Sequence, residues 1–251
     1  MNTEFIMIHG GQPKTPVFCE RSGWYYGVQF GYKSYAPCKM LDYVQGDWQT
    51  YLQALQSTGA TQAVVADFRE RDEYKVIHKR MVDVAAIGVT PIVVAKFHGS
   101  LRLIPEYVLG IKSRVGLSVP TGHMNDGFLP DIAEFKAFSS VTRDLHLLGG
   151  HPDQWLYLKK YYADVADTVS IDGNTMYRHA FQYGKMWSRN GYYHEFRGQC
   201  KSTNAMTIAS MRNAVRYFER GWLHTSNKKP SKRVINCQQQ LGLIGIQKTF
   251  I

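Results

Sequence analysis

Apolar residues in the middle of the chain come in short β-branched runs, separated by longer stretches with helical spacing. Ala63-Val64-Val65-Ala66-Asp67 reads as a buried strand, followed by a helix from Asp72 to Ile87. Pro91 to Ala95 is the next strand, with Ile104 to Ile111 as its helix. Arg114 to Val119 is a strand, and Leu129 to Phe138 has helical spacing around the Pro130 start signal. Asp144 to Leu148 and Thr168 to Asp172 follow as strands, with helices from Pro152 to Tyr162 and from Asn174 to Trp187. Upstream, Lys39 to Asp42 is an earlier strand with Trp48 to Leu55 as its helix, and the Tyr- and Gly-rich start of the chain holds a strand or hairpin. Downstream, Ala205 to Trp222 is an amphipathic helix with Met206, Ile208, Met211, Val215 and Phe218 near one face, and Ser226 to Arg233 is a polar, basic loop.

Alternation at roughly 25 to 30 residues per unit implies parallel strands joined by crossover helices. Six or seven such units in 251 residues predict an α/β fold: a single (β/α)8-type TIM barrel over residues 1–251, irregular at the N-terminus, with a basic C-terminal helical extension. A doubly wound open sheet is the alternative topology. No linker or low-complexity stretch marks a domain boundary.

Composition narrows the class. The chain is 44% hydrophobic, ordinary for a protein with a sizeable core. No run approaches the roughly 18 apolar residues of a membrane span. The start, Met-Asn-Thr-Glu-Phe, lacks the basic and apolar regions of a secretory signal, so a cytoplasmic protein without membrane contact is expected. Cys19, Cys38, Cys200 and Cys237 are scattered, without a CxxC pair, which suits reduced structural thiols better than a disulfide framework or a zinc site. No metal or cofactor is expected.

Charge is more informative. The formal net charge is +10, and it is concentrated. Between residues 178 and 233 twelve basic residues, among them Arg178, Lys185, Arg189, Arg197 and Lys201, face only Glu195 and Glu219. Tyr183, Trp187, Tyr192, Tyr193, Phe196, Tyr217, Phe218 and Trp222 are interleaved with them. Basic side chains neutralise phosphates and exposed rings stack on unpaired bases, so this segment is a candidate nucleic-acid surface. The plainer reading is a solvated basic face over an aromatic core.

In a β/α barrel the site lies at the C-terminal ends of the strands. Three predicted strands end there in aspartate: Asp42, Asp67 and Asp172. Others run into Lys96-Phe97-His98-Gly99, Ser118-Val119-Pro120 and Gly149-Gly150-His151. Converging carboxylates suit attack, proton transfer and hydrogen bonding to a substrate, and glycines let a flat ligand approach the backbone. Helix N-capping is the competing use for each aspartate.

Three blocks carry a resemblance. Gly116-Leu117-Ser118-Val119, then Leu145-His146-Leu147-Leu148-Gly149-Gly150-His151-Pro152-Asp153, then Ser170-Ile171-Asp172-Gly173-Asn174 ahead of Arg178, resemble in order and spacing the tRNA-guanine transglycosylases and their phage-encoded relatives, the 7-deazaguanine DNA transglycosylases. The resemblance covers residues 62–187. It implies that Asp172 is a nucleophile attacking C1′ of a nucleotide, that Asp67 pairs with the N1–H and amino group of guanine, and that Gly116, Leu117 and Ser118 line the base pocket. Asp42 is the candidate general acid/base, with Asp47 as its rival. Lys96 and His98 stand where the family has a Gln-Gly-Gly turn and are candidate substrate-binding residues, as are Gly149 and Gly150. The family's Asp-Ser-Gly-Gly-Phe-Gln block and the zinc ligands of its tRNA enzymes have no counterpart here.

The expected activity is therefore exchange of guanine in DNA for a 7-deazaguanine base such as preQ0, through a covalent aspartyl–deoxyribose intermediate, with DNA as partner. A compact enzyme acting on tRNA, a catalytically silent nucleic-acid-binding barrel and a glycosylase with water as acceptor are the alternatives.

Overall fold

A computed structural model describes residues 2–8, 13–33, 37–120, 127–138, 142–196, 203–221 and 231–242. Eight parallel strands close into a barrel: β1 (Asn2–Ile8), β2 (Tyr25–Gln29), β3 (Met40–Asp42), β4 (Gln62–Phe68), β5 (Thr90–Ala95), β8 (Arg114–Ser118), β9 (Arg143–Leu148) and β10 (Ala166–Asp172). β1 pairs with both β2 and β10, so the sheet has no free edge and the open-sheet alternative falls. Between the remaining neighbours the order follows the chain. Two short antiparallel ribbons, β6 (Tyr107–Val108) with β7 (Ile111–Lys112) and β11 (Lys185–Trp187) with β12 (Tyr193–Glu195), lie outside the barrel.

The strands read as continuous apolar runs because both of their faces are covered. Ile6, Met40, Val64, Ile92 and Val94 fill the barrel interior, with Ile8 and Leu148 above them. The alternate residues, such as Phe5, Leu41, Ala63, Val93, Leu117 and Leu147, pack outward into the main core beneath the helices. Those helices are α1 (Thr15–Ser22), α2 (Trp48–Thr58), α3 (Tyr74–Ala86), α4 (Ile132–Phe138), α5 (Pro152–Tyr161), α6 (Thr175–Tyr183) and α7 (Thr203–Arg220), with α8 (Lys232–Gln240) against α5. No described helix is long and apolar enough to cross a membrane.

At the start of the chain the strand alternative holds: β1 and β2 are parallel, with α1 between them. Four other sequence expectations change. The stretch from Ile104 to Ile111 is a hairpin, because Leu109 (φ 49°) and Gly110 (φ 80°) form a tight turn with both central residues left-handed. Arg143, 2% exposed, pins its base by donating to the carbonyls of Ile104 and Pro105. The helix after Asn174 stops at Tyr183, where Gly184 (φ 63°) takes the left-handed C-cap, and Lys185 to Trp187 turn into β11. Finally, α7 buries Thr207, Ser210, Met211, Asn213, Ala214 and Phe218, while Ile208 and Val215 are only partly covered and Met206 is likewise half-buried. The rotation has a polar cause: Ser210 donates to the Met176 carbonyl and accepts from the Trp187 N–H, and Asn213 donates to the Trp187 carbonyl. Lys232 and Arg233, expected in a loop, open α8 behind the Ser231 N-cap.

Candidate active site

The C-terminal ends of the strands bring the three aspartates to one mouth. Asp42 ends β3, Asp67 is the last but one residue of β4, and Asp172 ends β10. None of them caps a helix. Asp47 does: its Oδ2 accepts the Thr50 N–H at 2.7 Å to start α2, and it sits exposed outside the cluster, which separates the two candidates for the acid/base role.

Each carboxylate has a different environment. Asp172 is 8% exposed and held on both oxygens. The Gly149 N–H donates to Oδ1 at 2.7 Å, and His146 Nε2 lies 3.1 Å from Oδ2. Gly149 (φ 69°) and Gly150 (φ 91°) are both left-handed, the turn that aims that N–H back across the mouth. A Cβ on Gly150 would meet Val119 at 2.7 Å. Asp67 is half-exposed and paired with cations: Arg69 Nη2 at 2.8 Å and Lys96 Nζ at 3.6 Å. Lys96 also donates to Ser118 Oγ at 2.5 Å, so Asp67, Lys96 and Ser118 form a continuous polar wall.

Asp42 has neither kind of partner. Among the described residues no donor reaches its carboxylate. Burial, and then the charges of Asp172 and Asp67, push its pKa up to about 7. A carboxyl group tuned there exchanges protons readily at neutral pH. Asp42 lines two clefts. One, of about 560 Å³, also contains Asp172, Gly149, Gly150, Asn174 and Arg178. The other, of about 620 Å³, contains Asp67, Arg69, Tyr43 and Arg80, whose guanidinium lies 4.8 Å from the centre of the Tyr43 ring. Cavities of about 640 and 800 Å³ open elsewhere, around Phe30 and around Trp24, and contain none of the three aspartates.

Other predicted residues fall differently. Leu117 points away from the mouth, since alternation along β8 sends its side chain into the outer core. Gly116 faces inward but lies below the mouth, where a Cβ would meet Val94 and Leu148 at 3.0 Å; it provides clearance inside the barrel. His98 is turned outward, 83% exposed, with Nδ1 3.2 Å from Glu134 of α4. Of the basic segment, Arg178 lines the Asp172 cleft from α6, Lys185 pairs with Glu195 at 3.4 Å, and Arg189 is exposed. Arg197 and Lys201 lie outside the described residues, as do Cys200 and Trp222. The interleaved aromatics divide: Trp187, Phe196 and Phe218 are core residues, whereas Tyr183 and Tyr192 are exposed. Cys19, Cys38 and Cys237 are unpaired and buried, and burial pushes the Cys19 thiol up to about 12.

Sequence reasoning assigned no role to His146 or Arg69. His146 carries a legible signal: an imidazole in the middle of an apolar barrel strand, on an inward position, between Gly116 and Ser170 in the flanking strands. Arg69 has no such signal; only the turn after β4 brings it back to Asp67.

Residues 21–219 match the family described as a family of unknown function (DUF6610), and the chain belongs to that family. No curated protein sequence matches it. In fold it is similar to the YdjI aldolase from Escherichia coli K12, with 11% identity, a TM-score of 0.50, and 97% of this chain and 93% of that one covered. It is also similar to a putative fructose-1,6-biphosphate aldolase from Coccidioides immitis, with 9% identity, a TM-score of 0.50, and 87% and 90% covered. At such identities the likeness establishes the TIM-barrel fold alone.

Proposed function

We propose that this member of the DUF6610 family is a guanine transglycosylase that exchanges guanine in DNA for a 7-deazaguanine base such as preQ0. The observation that carries the reading is the unequal environment of two neighbouring carboxyl groups: Asp172, met by the Gly149 N–H and by His146 Nε2, and Asp42, which no described donor reaches and whose pKa is raised to about 7. Glycosyl transfer with retention needs one carboxylate to attack and one carboxyl group to move a proton.

In the first half-reaction an oxygen of Asp172 bonds to C1′ as the C1′–N9 bond breaks. The electron pair leaves with guanine, and the Asp42 carboxyl proton neutralises it. In the second half the N9 of the incoming base attacks C1′, its proton passes to the Asp42 carboxylate, and the bond to Asp172 breaks. Asp67, with Lys96 and Ser118 beside it, receives the polar edge of the base. Arg178 on the wall of the Asp172 cleft meets backbone phosphate, and the exposed Tyr183 and Tyr192 are available to stack on a flipped or unpaired base. The basic segment supports a polymer substrate over a free nucleoside.

Exchange of labelled preQ0 into duplex DNA and into tRNA, side by side and with Asp172→Ala as control, tests the reading. Label entering DNA alone is the expected result. Label in tRNA alone assigns the activity to RNA, and label in neither, with DNA still bound, leaves a binding barrel. Guanine release without an incoming base identifies a glycosylase.

A further inference from the structure

His146 is fully buried in the middle of β9 and touches the candidate nucleophile from below. In register it lies between Gly116 of β8, which has no side chain, and Ser170 of β10. Its Nε2 is 3.1 Å from Asp172 Oδ2, and its Nδ1 is 2.8 Å from Ser170 Oγ. Two residues below on the same strand, Asp144 is occupied by Lys112 at 3.5 Å. Asp172 is thus the charged group that His146 meets.

The protons can be assigned from chemistry. A carboxylate only accepts, so Nε2 facing it carries the hydrogen. In a ring carrying that one hydrogen Nδ1 accepts, and the Ser170 hydroxyl is the donor. The alternative acceptor for that hydroxyl, the Leu145 carbonyl, is farther away at 3.3 Å. Ser170 and Asp172 both sit on β10, so one strand sets the tautomer and receives the donor. With the Gly149 N–H on Oδ1, the plane of the Asp172 carboxylate is fixed by two donors supplied by β9 and the turn that follows it.

We propose that His146 is a positioning residue: locked in its Nε2–H tautomer by Ser170, it aims the Asp172 carboxylate at the sugar carbon. This rests on the reading of Asp172 as nucleophile. An attacking oxygen must lie on the line of the breaking bond, and a carboxylate free to turn about its own axis loses that alignment. Whichever oxygen bonds to C1′, the other stays hydrogen-bonded, so the same contacts hold the covalent intermediate in place for the second half-reaction.

The test has a spectroscopic arm and a kinetic arm, both on the full-length protein. In ¹⁵N-histidine-labelled protein the His146 ring should show the Nε2–H tautomer with a slowly exchanging proton, and Asp172→Ala should make that proton exchange rapidly. An Nδ1–H tautomer, or a proton unaffected by Asp172→Ala, overturns the proposal. Kinetically, His146→Leu should slow formation of the covalent adduct with guanine-containing DNA by about 100-fold, with the KM for preQ0 changed less than about twofold. His146→Gln, which can offer an amide N–H to Asp172 and an oxygen to Ser170, should recover about tenfold of that loss. A Leu variant as fast as wild type, or a Gln variant no better than Leu, overturns it. If wild type forms no adduct with DNA or tRNA, the functional reading fails, while the ring signals still decide whether His146 grips Asp172.

Discussion

The two ends of this barrel are built from the same residue types and behave in opposite ways. At the N-terminal end Glu4 of β1 is met by cations and an amide: Lys39 Nζ at 3.2 Å, Arg114 Nη1 at 3.0 Å and Gln62 Nε2 at 2.8 Å. Burial alone would raise the Glu4 pKa, but the Gln62 hydrogen bond and the charges of Arg114 and Lys39 outweigh it and hold it below the usual range. At the C-terminal end Asp42 is largely covered beside two other carboxylates, no described donor reaches it, and its pKa goes up to about 7. One end closes the barrel with matched charge. At the other, Asp67 and Asp172 are partnered while no described donor reaches Asp42, an arrangement that costs stability.

Removing the proposed nucleophile tests that contrast most severely. Asp172→Ala should lower exchange by about 10⁴-fold or more and abolish the covalent adduct, measured by labelled-base incorporation and denaturing gel. It should also bring the Asp42 pKa down, since one of the charges raising it is gone; an Asp42 titration unmoved in this variant would break the coupling.

Next in size is the pH response of Asp42. In the proposed mechanism adduct formation consumes its proton and should fall as pH rises past about 7, whereas adduct discharge needs the carboxylate and should fall below about 7. Stability follows from the same shift. The folded protein holds the Asp42 proton more tightly than the unfolded chain, so the contribution is fully present below 3.8 and is lost as pH rises to about 7. The loss is at most about 4 kcal/mol. Asp42→Asn should flatten that part of the stability curve in thermal unfolding across the range. A variant with the wild-type slope would assign the pH dependence to other groups.

How much of this was legible depends on the distance over which each signal acts. The barrel strands were, because runs such as Ala63 to Ala66 and Pro91 to Ala95 are buried on both faces and so carry an unbroken apolar pattern. The aspartates were, because strand ends in this architecture share one mouth. The hairpin at Tyr107 to Lys112 was not: its apolar residues fit a helical period, and the deciding feature is the left-handed Leu109-Gly110 turn. The separation of Asp42 from Asp47 was not, because a helix cap and a carboxyl group at the barrel mouth look alike until the Thr50 N–H is seen on one of them. The outward turn of His98 was likewise invisible, since Glu134, which holds it, lies a full β/α unit away.

At the matched end of the barrel the expected effects are on folding, not on activity. Glu4→Gln leaves Arg114 and Lys39 without their counter-charge and should cost about 2 kcal/mol, reduced from a fully buried pair because Glu4 is a quarter exposed. With a depressed pKa, Glu4 contributes stability above its ordinary value of 4.5 that is lost on acidification, so wild type and variant should converge in acid. Base exchange per folded molecule should be unchanged. An activity loss larger than the loss of folded protein would mean that the two ends are coupled.

The smallest effect belongs to the rim. Arg178 is exposed on α6 and reaches the Asp172 cleft, and it has no carboxylate partner among the described residues, so Arg178→Ala should leave folding unchanged. If it meets one phosphate, the variant should bind duplex DNA several-fold more weakly at low salt, and the slope of log affinity against log salt should become shallower by about one. Lys185→Ala is the internal comparison. Its ammonium is already paired with Glu195, so the slope should change less. Equal slopes for wild type and both variants would make the basic face a solvated surface and confine the chemistry to the carboxylates of the mouth.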